Sequence, residues 1–172
     1  MERERTPRGI EAIVTLRKLE LMDYFKLRPI YTNPRVTYPA AFAPIANEGD
    51  MFRVVRALVA MENEAIEVDG RIVGVIGHDA GEEAEEGENA VTIGYVLRED
   101  AWGHGYGTQA VSMYSDRLLH EGYDAVYADC FLDNPASARV LEKAGFVYQH
   151  DFFRQFSCFP KPRQLHLFKK TR

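Results

Sequence analysis

The sequence predicts a single α+β domain, and three observations carry that expectation. Apolar residues recur with helical spacing through residues 48 to 61 and with strand-like spacing from Glu64 onward. Asp69-Gly70 joins two apolar segments, and because both residues tolerate positive φ the pair signals a two-residue hairpin between antiparallel strands. A later strand-like segment leads through a glycine-rich turn into a helix. With 172 residues, 46% hydrophobic and 27% charged, the chain suits one core spanning 1 to 172, preceded by a weakly ordered polar lead over residues 1 to 11.

The first strand is Ile13 to Leu16, followed by a short helix from Glu20 that stops at Arg28, before Pro29. Pro34, Pro39 and Pro44, interleaved with Tyr31, Tyr38 and Phe42, read as an ordered aromatic loop that either lines a substrate mouth or packs on itself. The helix over 48 to 61 turns Met51, Val54, Val55 and Leu58 to one side. Strands Glu64 to Val68 and Arg71 to Gly77 form the hairpin. The run from Asp79 to Asn89 holds six acids and no base, and reads as a solvated loop. Val91, Ile93, Tyr95 and Leu97 alternate with smaller residues, as in a half-buried strand, and Gly94 invites a bulge or a close backbone approach. Gly107 to Glu121 is a helix stopped by Gly122, and Ala125 to Phe131 a strand. Asn134-Pro135 opens a last helix closed by Lys143, Ala144 and Gly145, before strands over about 146 to 156 and 164 to 169.

Charge and cysteine content narrow the function classes. Lys and Arg total 21 against 26 Asp and Glu, a formal charge of −5, which argues against a protein that coats nucleic acid. No apolar run approaches the roughly 20 residues that span a bilayer, and the charged start lacks the apolar core of a secretory signal, so neither membrane nor export is expected. Cys130 and Cys158 form neither a CxxC pair nor a metal-ligand cluster; they read as reduced thiols on strands of a cytoplasmic protein, with no metal.

The informative stretch runs from Arg98 to Thr108 and places Gly103, Gly105 and Gly107 at alternate positions ahead of a helix. Glycines let the backbone approach a ligand, and the amides of a helix N-terminus favour an anion such as pyrophosphate. Two familiar phosphate sites do not fit. A Walker A loop needs Lys-Ser/Thr after its last glycine, where Thr108-Gln109 stands. A Rossmann site needs GxGxxG in a parallel βαβ unit, whereas this turn is GxGxG behind an antiparallel hairpin.

With Leu16-Arg-Lys-Leu19 and Asp23 near the start, then Gly74-Val-Ile-Gly77, Ile93-Gly-Tyr95, Trp102-Gly-His-Gly-Tyr-Gly107, Asn134-Pro-Ala-Ser137 and Leu141-Glu-Lys-Ala-Gly-Phe146, the sequence closely resembles the GCN5-related N-acetyltransferase (GNAT) superfamily, and within it the ribosomal-protein-alanine acetyltransferase (RimJ/RimL)-like branch. The resemblance covers about the last three quarters of the chain in family order. It implies acetyl-CoA as donor, a primary amine as acceptor, and a twisted, mostly antiparallel sheet of about six or seven strands flanked by about four helices. It also implies a V-shaped opening between the strand ending near Leu97 and that beginning near Ala125. By the same resemblance, backbone groups of Tyr95, Val96 and Leu97 meet the pantetheine arm, while Trp102, Gly103, His104, Gly105, Tyr106, Gly107 and Thr108 wrap the pyrophosphate. Asn134 either holds the cofactor arm or only caps its helix, and Ser137, one turn later, lies near the thioester or faces solvent.

The amine must attack as its free base, the developing oxyanion must meet a donor such as the backbone near Val96, and the thiolate must leave. The acid that the family often carries stands here as Thr92, and its frequent tyrosine as Leu141. Ser137 is therefore the candidate for protonating the thiolate, and Asp129 and His78 are candidates for the base. An α-amine is about one-tenth neutral at pH 7 and a lysine side chain roughly one part in 2,500, so an N-terminal or other low-pKa amine needs less help. The two missing groups also motivate an alternative, a catalytically silent acetyl-CoA sensor or scaffold. The sequence specifies neither the acceptor nor an oligomeric state, a homodimer included.

Overall fold

The computed structural model describes residues 12 to 172, so the lead over 1 to 11 lies outside the described residues. Strand β1 (Val14–Lys18) and a 3-10 turn at Leu21–Asp23 precede helices α1 (Tyr24–Tyr31), α2 (Pro34–Thr37) and α3 (Glu48–Ala60). Strands β2 (Glu64–Val68), β3 (Arg71–Ala80) and β4 (Ala90–Leu97) follow, then α4 (Tyr106–Glu121), β5 (Ala125–Phe131), α5 (Pro135–Lys143), β6 (Val147–Arg154) and β7 (Arg163–Thr171). Seven strands form one sheet in the order β1-β2-β3-β4-β5-β7-β6, antiparallel throughout except for the parallel pair β4 and β5.

Local chemistry accounts for most boundaries. Asp69 and Gly70 have φ of 50° and 76°, the two positive values a type I′ hairpin requires. Asn134 caps α5 by accepting a hydrogen bond from the Ser137 amide, and Pro135 fills the first helical position where no N–H is needed. Gly122, at φ 112°, ends α4.

Two apolar layers sandwich the sheet. On one face α4 and α5 bury Ala110, Val111, Tyr114, Leu118 and Leu141 against Ile66, Ile76, Ile93, Val126 and Ala128. On the other, Leu27 and Ile30 of α1 and Met51 and Val55 of α3 cover Ala65, Ile72, Val75 and Val96.

Several expectations change on contact with the fold. Helix α1 does not stop at Arg28 but runs through Pro29 to Tyr31. The proline forfeits one helical hydrogen bond, but it keeps Ile30 and Tyr31 on the buried face, where Ile30 is wholly enclosed. The aromatic loop contains the extra helix α2, making five helices among the described residues rather than about four; Tyr31 stacks on Phe42 at 5.3 Å while Tyr38 turns to the cleft. Gly94 makes no bulge with β3, where the register runs unbroken through Gly77 and Gly94. The extra residue is instead Val73, between the pairs Ile66–Gly74 and Glu67–Ile72. Cys130 is a buried strand residue as expected, but Cys158 lies in the β6–β7 loop.

The acidic run is not simply solvated. Strand β3 extends through Asp79 to Ala80, and Ala84 packs on Ala125, Tyr127 and Leu167. Glu88 accepts a hydrogen bond from the Tyr127 hydroxyl at 2.7 Å and pairs with Lys169, also at 2.7 Å. Glu83 bonds Arg154 at 2.8 Å. Cations on β6 and β7 thus fasten the loop to the sheet.

Candidate active site

The site begins where the sheet comes apart. Ala90, Val91 and Thr92 of β4 pair with Ala125, Val126 and Tyr127 of β5; from Ile93 on, the β5-facing edge of β4 has no strand partner. Backbone donors and acceptors on that edge have no strand to pair with, as an extended cofactor arm requires, although the Leu97 carbonyl is taken by the Trp102 indole. The opening is part of a cleft of about 990 Å³, floored by Ile93–Leu97 and Asp129–Phe131. The glycine turn, α5, Tyr38, Phe159 and Arg163 also line it.

Most of the residues singled out in the sequence come together here. The segment Tyr95–Leu97, the turn from Trp102 to Thr108 except His104, and Asn134, Ser137 and Asp129 all line the cleft. His104 is exposed and stacks on Tyr106 at 5.3 Å. His78 is not among the lining residues; its Nδ1 lies 2.8 Å from the Tyr114 hydroxyl, on the α4 side of the sheet.

The turn has the geometry of an anion cradle. Gly103 and Gly105 adopt φ of 79° and 80°, and a β-carbon built on either would meet no protein atom within 4 Å. Glycine is needed for the backbone conformation, and the adjoining space is open to a ligand. Gly105 caps α4, a helix of 16 residues with no acid in its first turn to compete for the N-terminal amides. Gly107 is packed closely: a β-carbon there would come within 3.1 Å of Leu97 Cδ1, so the leucine side chain would have to shift. The Trp102 indole N–H donates to the Leu97 carbonyl at 3.1 Å and ties the turn back to β4.

Within the cleft, the Ser137 Oγ is 2.8 Å from the Tyr95 hydroxyl. Burial pushes the Tyr95 phenol up to about 12, against the effect of Ser137, and also raises the neighbouring Cys130 thiol to about 12. Both therefore hold their protons at neutral pH, and Cys130 is an unreactive thiol. The Tyr95 hydroxyl escaped the sequence reading, which used only that residue's backbone. Its signal was the alternation that puts Ile93, Tyr95 and Leu97 on the α5 side of the sheet.

Asn134 Oδ1 accepts the Ser137 amide at 3.2 Å, so its capping role is real. Its Nδ2 has no hydrogen-bond partner among the described residues and remains available as a donor. Asn134→Ala is expected to cost about 1 kcal/mol of stability through the lost cap and, separately, to weaken CoA binding about 10-fold through the lost donor. Thermal melts with and without acetyl-CoA, paired with calorimetry, separate the two; unchanged CoA affinity would leave the cap as its whole role.

On the opposite face of the sheet, Asp129 Oδ2 accepts from Arg154 Nη1 at 2.8 Å while Arg154 Nη2 holds Glu83. Burial raises the Asp129 carboxyl above its ordinary range, and Arg154 opposes that rise. Leu141 is fully enclosed in the core. Thr92 Oγ1 is buried without a partner among the described residues. Those residues also include no group of three or more His, Cys, Asp or Glu placed to hold a metal ion, and no helix long and apolar enough to cross a membrane.

Comparison with known proteins agrees with this geometry. The acetyltransferase (GNAT) domain model matches residues 14–147. No curated protein sequence matches the chain. Among solved structures, a GNAT-family acetyltransferase from Bacillus anthracis aligns at a TM-score of 0.78 with 19% identity over 92% of this chain and 94% of that one. A spermidine N-acetyltransferase from Vibrio cholerae, bound to CoA and spermine, aligns at 0.76 with 14% identity over 92% and 95%. RimL, described as a ribosomal L7/L12 α-N-protein acetyltransferase in complex with CoA, aligns at 0.78 with 16% identity over 92% and 93%. At these identities the structures speak for the fold, a splayed sheet with two flanking helical layers. The family match covers most of the chain and includes the glycine turn, the unpaired edge of β4 and the whole of α5. The chain accordingly belongs to the GNAT acetyltransferases and is an acetyl-CoA-dependent N-acetyltransferase.

Proposed function

We propose that this acetyltransferase transfers acetyl directly to a primary amine, either the N-terminal α-amine of a protein or peptide or the amine of a small molecule, in the cytoplasm. The observation that carries the reading is that the glycine turn, the unpaired edge of β4 and the Tyr95–Ser137 pair line one cleft. Both acceptor classes occur on this fold, since one neighbour is named for a ribosomal protein α-amine and another holds spermine. The low-pKa amine is favoured by chemistry, because one-tenth of it is already neutral at pH 7, by the order of magnitude given above.

Acetyl-CoA supplies an activated thioester, and the chain's residues do the rest. Amides from Trp102 to Thr108 hold the pyrophosphate, the free edge from Tyr95 to Leu97 aligns the arm, and Asn134 Nδ2 donates to it. Backbone near Val96 donates to the thioester oxygen as negative charge gathers there. Asp129, open to the cleft on the face away from α5, takes the proton of the incoming ammonium. Ser137, held by its contact with the Tyr95 hydroxyl, gives a proton to the departing thiolate and takes one back from solvent.

Acetyl-CoA turnover against peptides, amino acids, polyamines and aminoglycosides, followed by release of the CoA thiol, tests the reading; binding of acetyl-CoA without transfer to any of them would refute it. On the best acceptor, Ser137→Ala is expected to lower kcat and kcat/KM together by about 10-fold, at the low end of general-acid effects. Wild-type kcat in that variant, with chemistry rate-limiting, would assign the proton to solvent instead.

A further inference from the structure

Gly94 and the aromatic residues between α1 and α3 have no role in the transfer chemistry, yet the fold brings them to one face of the sheet. Ala128 and Cys130 of β5 and Ile93 of β4 pack toward α4 and α5, so Asp129, Phe131 and Gly94 lie on the other face. Gly94 and Asp129 each stand two residues beyond the last β4–β5 pair, Thr92–Tyr127, on either side of the opening. A β-carbon on Gly94 would meet no atom outside its own chain neighbours within 4 Å, so the space over it is open.

The lining on this face is aromatic. Tyr38, on the turn that follows α2, is 43% exposed and faces the cleft. Its ring centroid lies 6.1 Å from that of Phe159 in the β6–β7 loop, and Phe159 rests edge-on against Phe131 at 5.6 Å. The three rings therefore bridge the cleft, from the helical layer over β1–β4 to the β5–β7 half of the sheet. Ala41, which also lines the cleft, has φ 66°, a left-handed conformation uncommon for a residue with a side chain. Its amide donates to the Tyr38 carbonyl at 3.1 Å, so the turn that presents Tyr38 is fixed.

Charge on the lining opposes a polycation. Among the described lining residues four cations, Arg35, Arg139, Lys143 and Arg163, outnumber two carboxylates. Each carboxylate is already held by an arginine, Asp129 by Arg154 at 2.8 Å and Asp133 by Arg163 at 2.6 Å. The Arg163 guanidinium also lies 4.8 Å from the ring centroids of both Phe131 and Phe159, so a cation already engages their faces. What remains for an incoming molecule is Tyr38, the edge of Phe159 and the space over Gly94, a surface suited to a flat apolar group.

We infer that the acceptor carries an aromatic group close to its primary amine, seated against Tyr38 and Phe159 over Gly94, and that polyamines are disfavoured. The inference rests on the acetyl-transfer reading and narrows its acceptor. The reaction itself is unchanged: the N–C bond forms as the C–S bond breaks, the amine proton passes to Asp129, and CoA leaves as its thiol.

Calorimetry on the CoA-saturated protein, paired with release of the CoA thiol from acetyl-CoA, tests this with β-phenylethylamine, n-butylamine, spermidine and the tripeptides Phe-Ala-Ala and Ala-Ala-Ala. Each phenyl compound is expected to exceed its aliphatic counterpart about 10-fold in affinity and in kcat/KM, and spermidine to gain nothing over butylamine. Tighter binding of Phe-Ala-Ala than of β-phenylethylamine would mark a peptide N-terminus as the source of the ring, and the reverse order a free amine; both support the inference. Gly94→Val, whose side chain enters open space and suits a strand, and Tyr38→Ala should each shrink the phenyl preference to about 2-fold while circular dichroism stays native. Equal affinity for phenyl and butyl amines, a preference for spermidine, or an undiminished phenyl preference in both variants would overturn the inference. CoA binding with transfer to no amine would instead overturn the underlying transfer reading, and this inference with it.

Discussion

Gly105→Val is expected to produce a folded protein whose affinity for CoA has fallen about 100-fold, close to 2.7 kcal/mol. Two costs combine. The residue sits at φ 80° and caps α4; a β-branched side chain in the left-handed region carries a strain of roughly 1–3 kcal/mol, which is relieved by moving the turn amides out of line. The new methyl groups also enter space in which a β-carbon meets no protein atom within 4 Å, so they oppose the ligand rather than the core. Circular dichroism should therefore stay native while calorimetry reports the loss. A native Gly105→Val protein with unchanged CoA affinity would remove the turn from the binding site.

Asp23→Ala is expected to cost about 3 kcal/mol of stability, a drop in Tm of about 10 °C for a chain of this size. Asp23 is 3% exposed. Its carboxylate receives Arg17 through two hydrogen bonds, of 2.7 and 2.9 Å, and the Glu20 amide at 3.0 Å. Removing it leaves a half-buried guanidinium with Glu67 as its one carboxylate partner, at 3.0 Å, beside the Lys18 carbonyl, and an uncapped 3-10 turn at the entry to α1. The Arg17 hydrogen bonds hold the Asp23 carboxyl below its usual range despite the burial that opposes them. A depressed carboxyl stabilises the fold above its unfolded pKa of about 3.9 and ceases to do so as pH falls through the lower folded value. The stability gap between wild type and Asp23→Ala should thus be full at pH 7 and narrow below about pH 4. A gap that is flat with pH would mean that packing, and not the ion pair, accounts for the loss.

What could be read from the residues was what local stereochemistry dictates. Asp69-Gly70, Gly122 and Asn134-Pro135 each require a particular backbone, and each marks a boundary within a residue or two of where it falls. The cradle was legible for the same reason: Gly103 and Gly105 take conformations that other residues avoid. Features decided by tertiary packing were not. Pro29 continues α1 because Leu27, Ile30 and Tyr31 must share a buried face. The β3 bulge falls at a valine, a residue with no turn preference to announce it. The acidic loop is anchored by Lys169 and Arg154, which lie about 70 to 85 residues further along the chain. The Tyr95–Ser137 contact and the meeting of Tyr38 with Phe159 likewise emerge only when two elements meet in space.

The short seam between β4 and β5 has a consequence for how the chain is partitioned. Sheet order keeps β1 to β4 on one side and β5, β7 and β6 on the other, and no strand crosses over. The only covalent passage between these halves runs from Arg98 to Asp124, through the glycine turn and α4. A single cut in the turn therefore yields two uninterleaved fragments, one owning the free edge of β4 and the other owning α4, α5 and Ser137. Neither fragment contains a whole cofactor site, and a ligand lying along the cleft touches both. On the proposed reading of the cleft, acetyl-CoA is a non-covalent splice between the two halves of the polypeptide, and the turn is the natural place to divide the enzyme for fragment complementation.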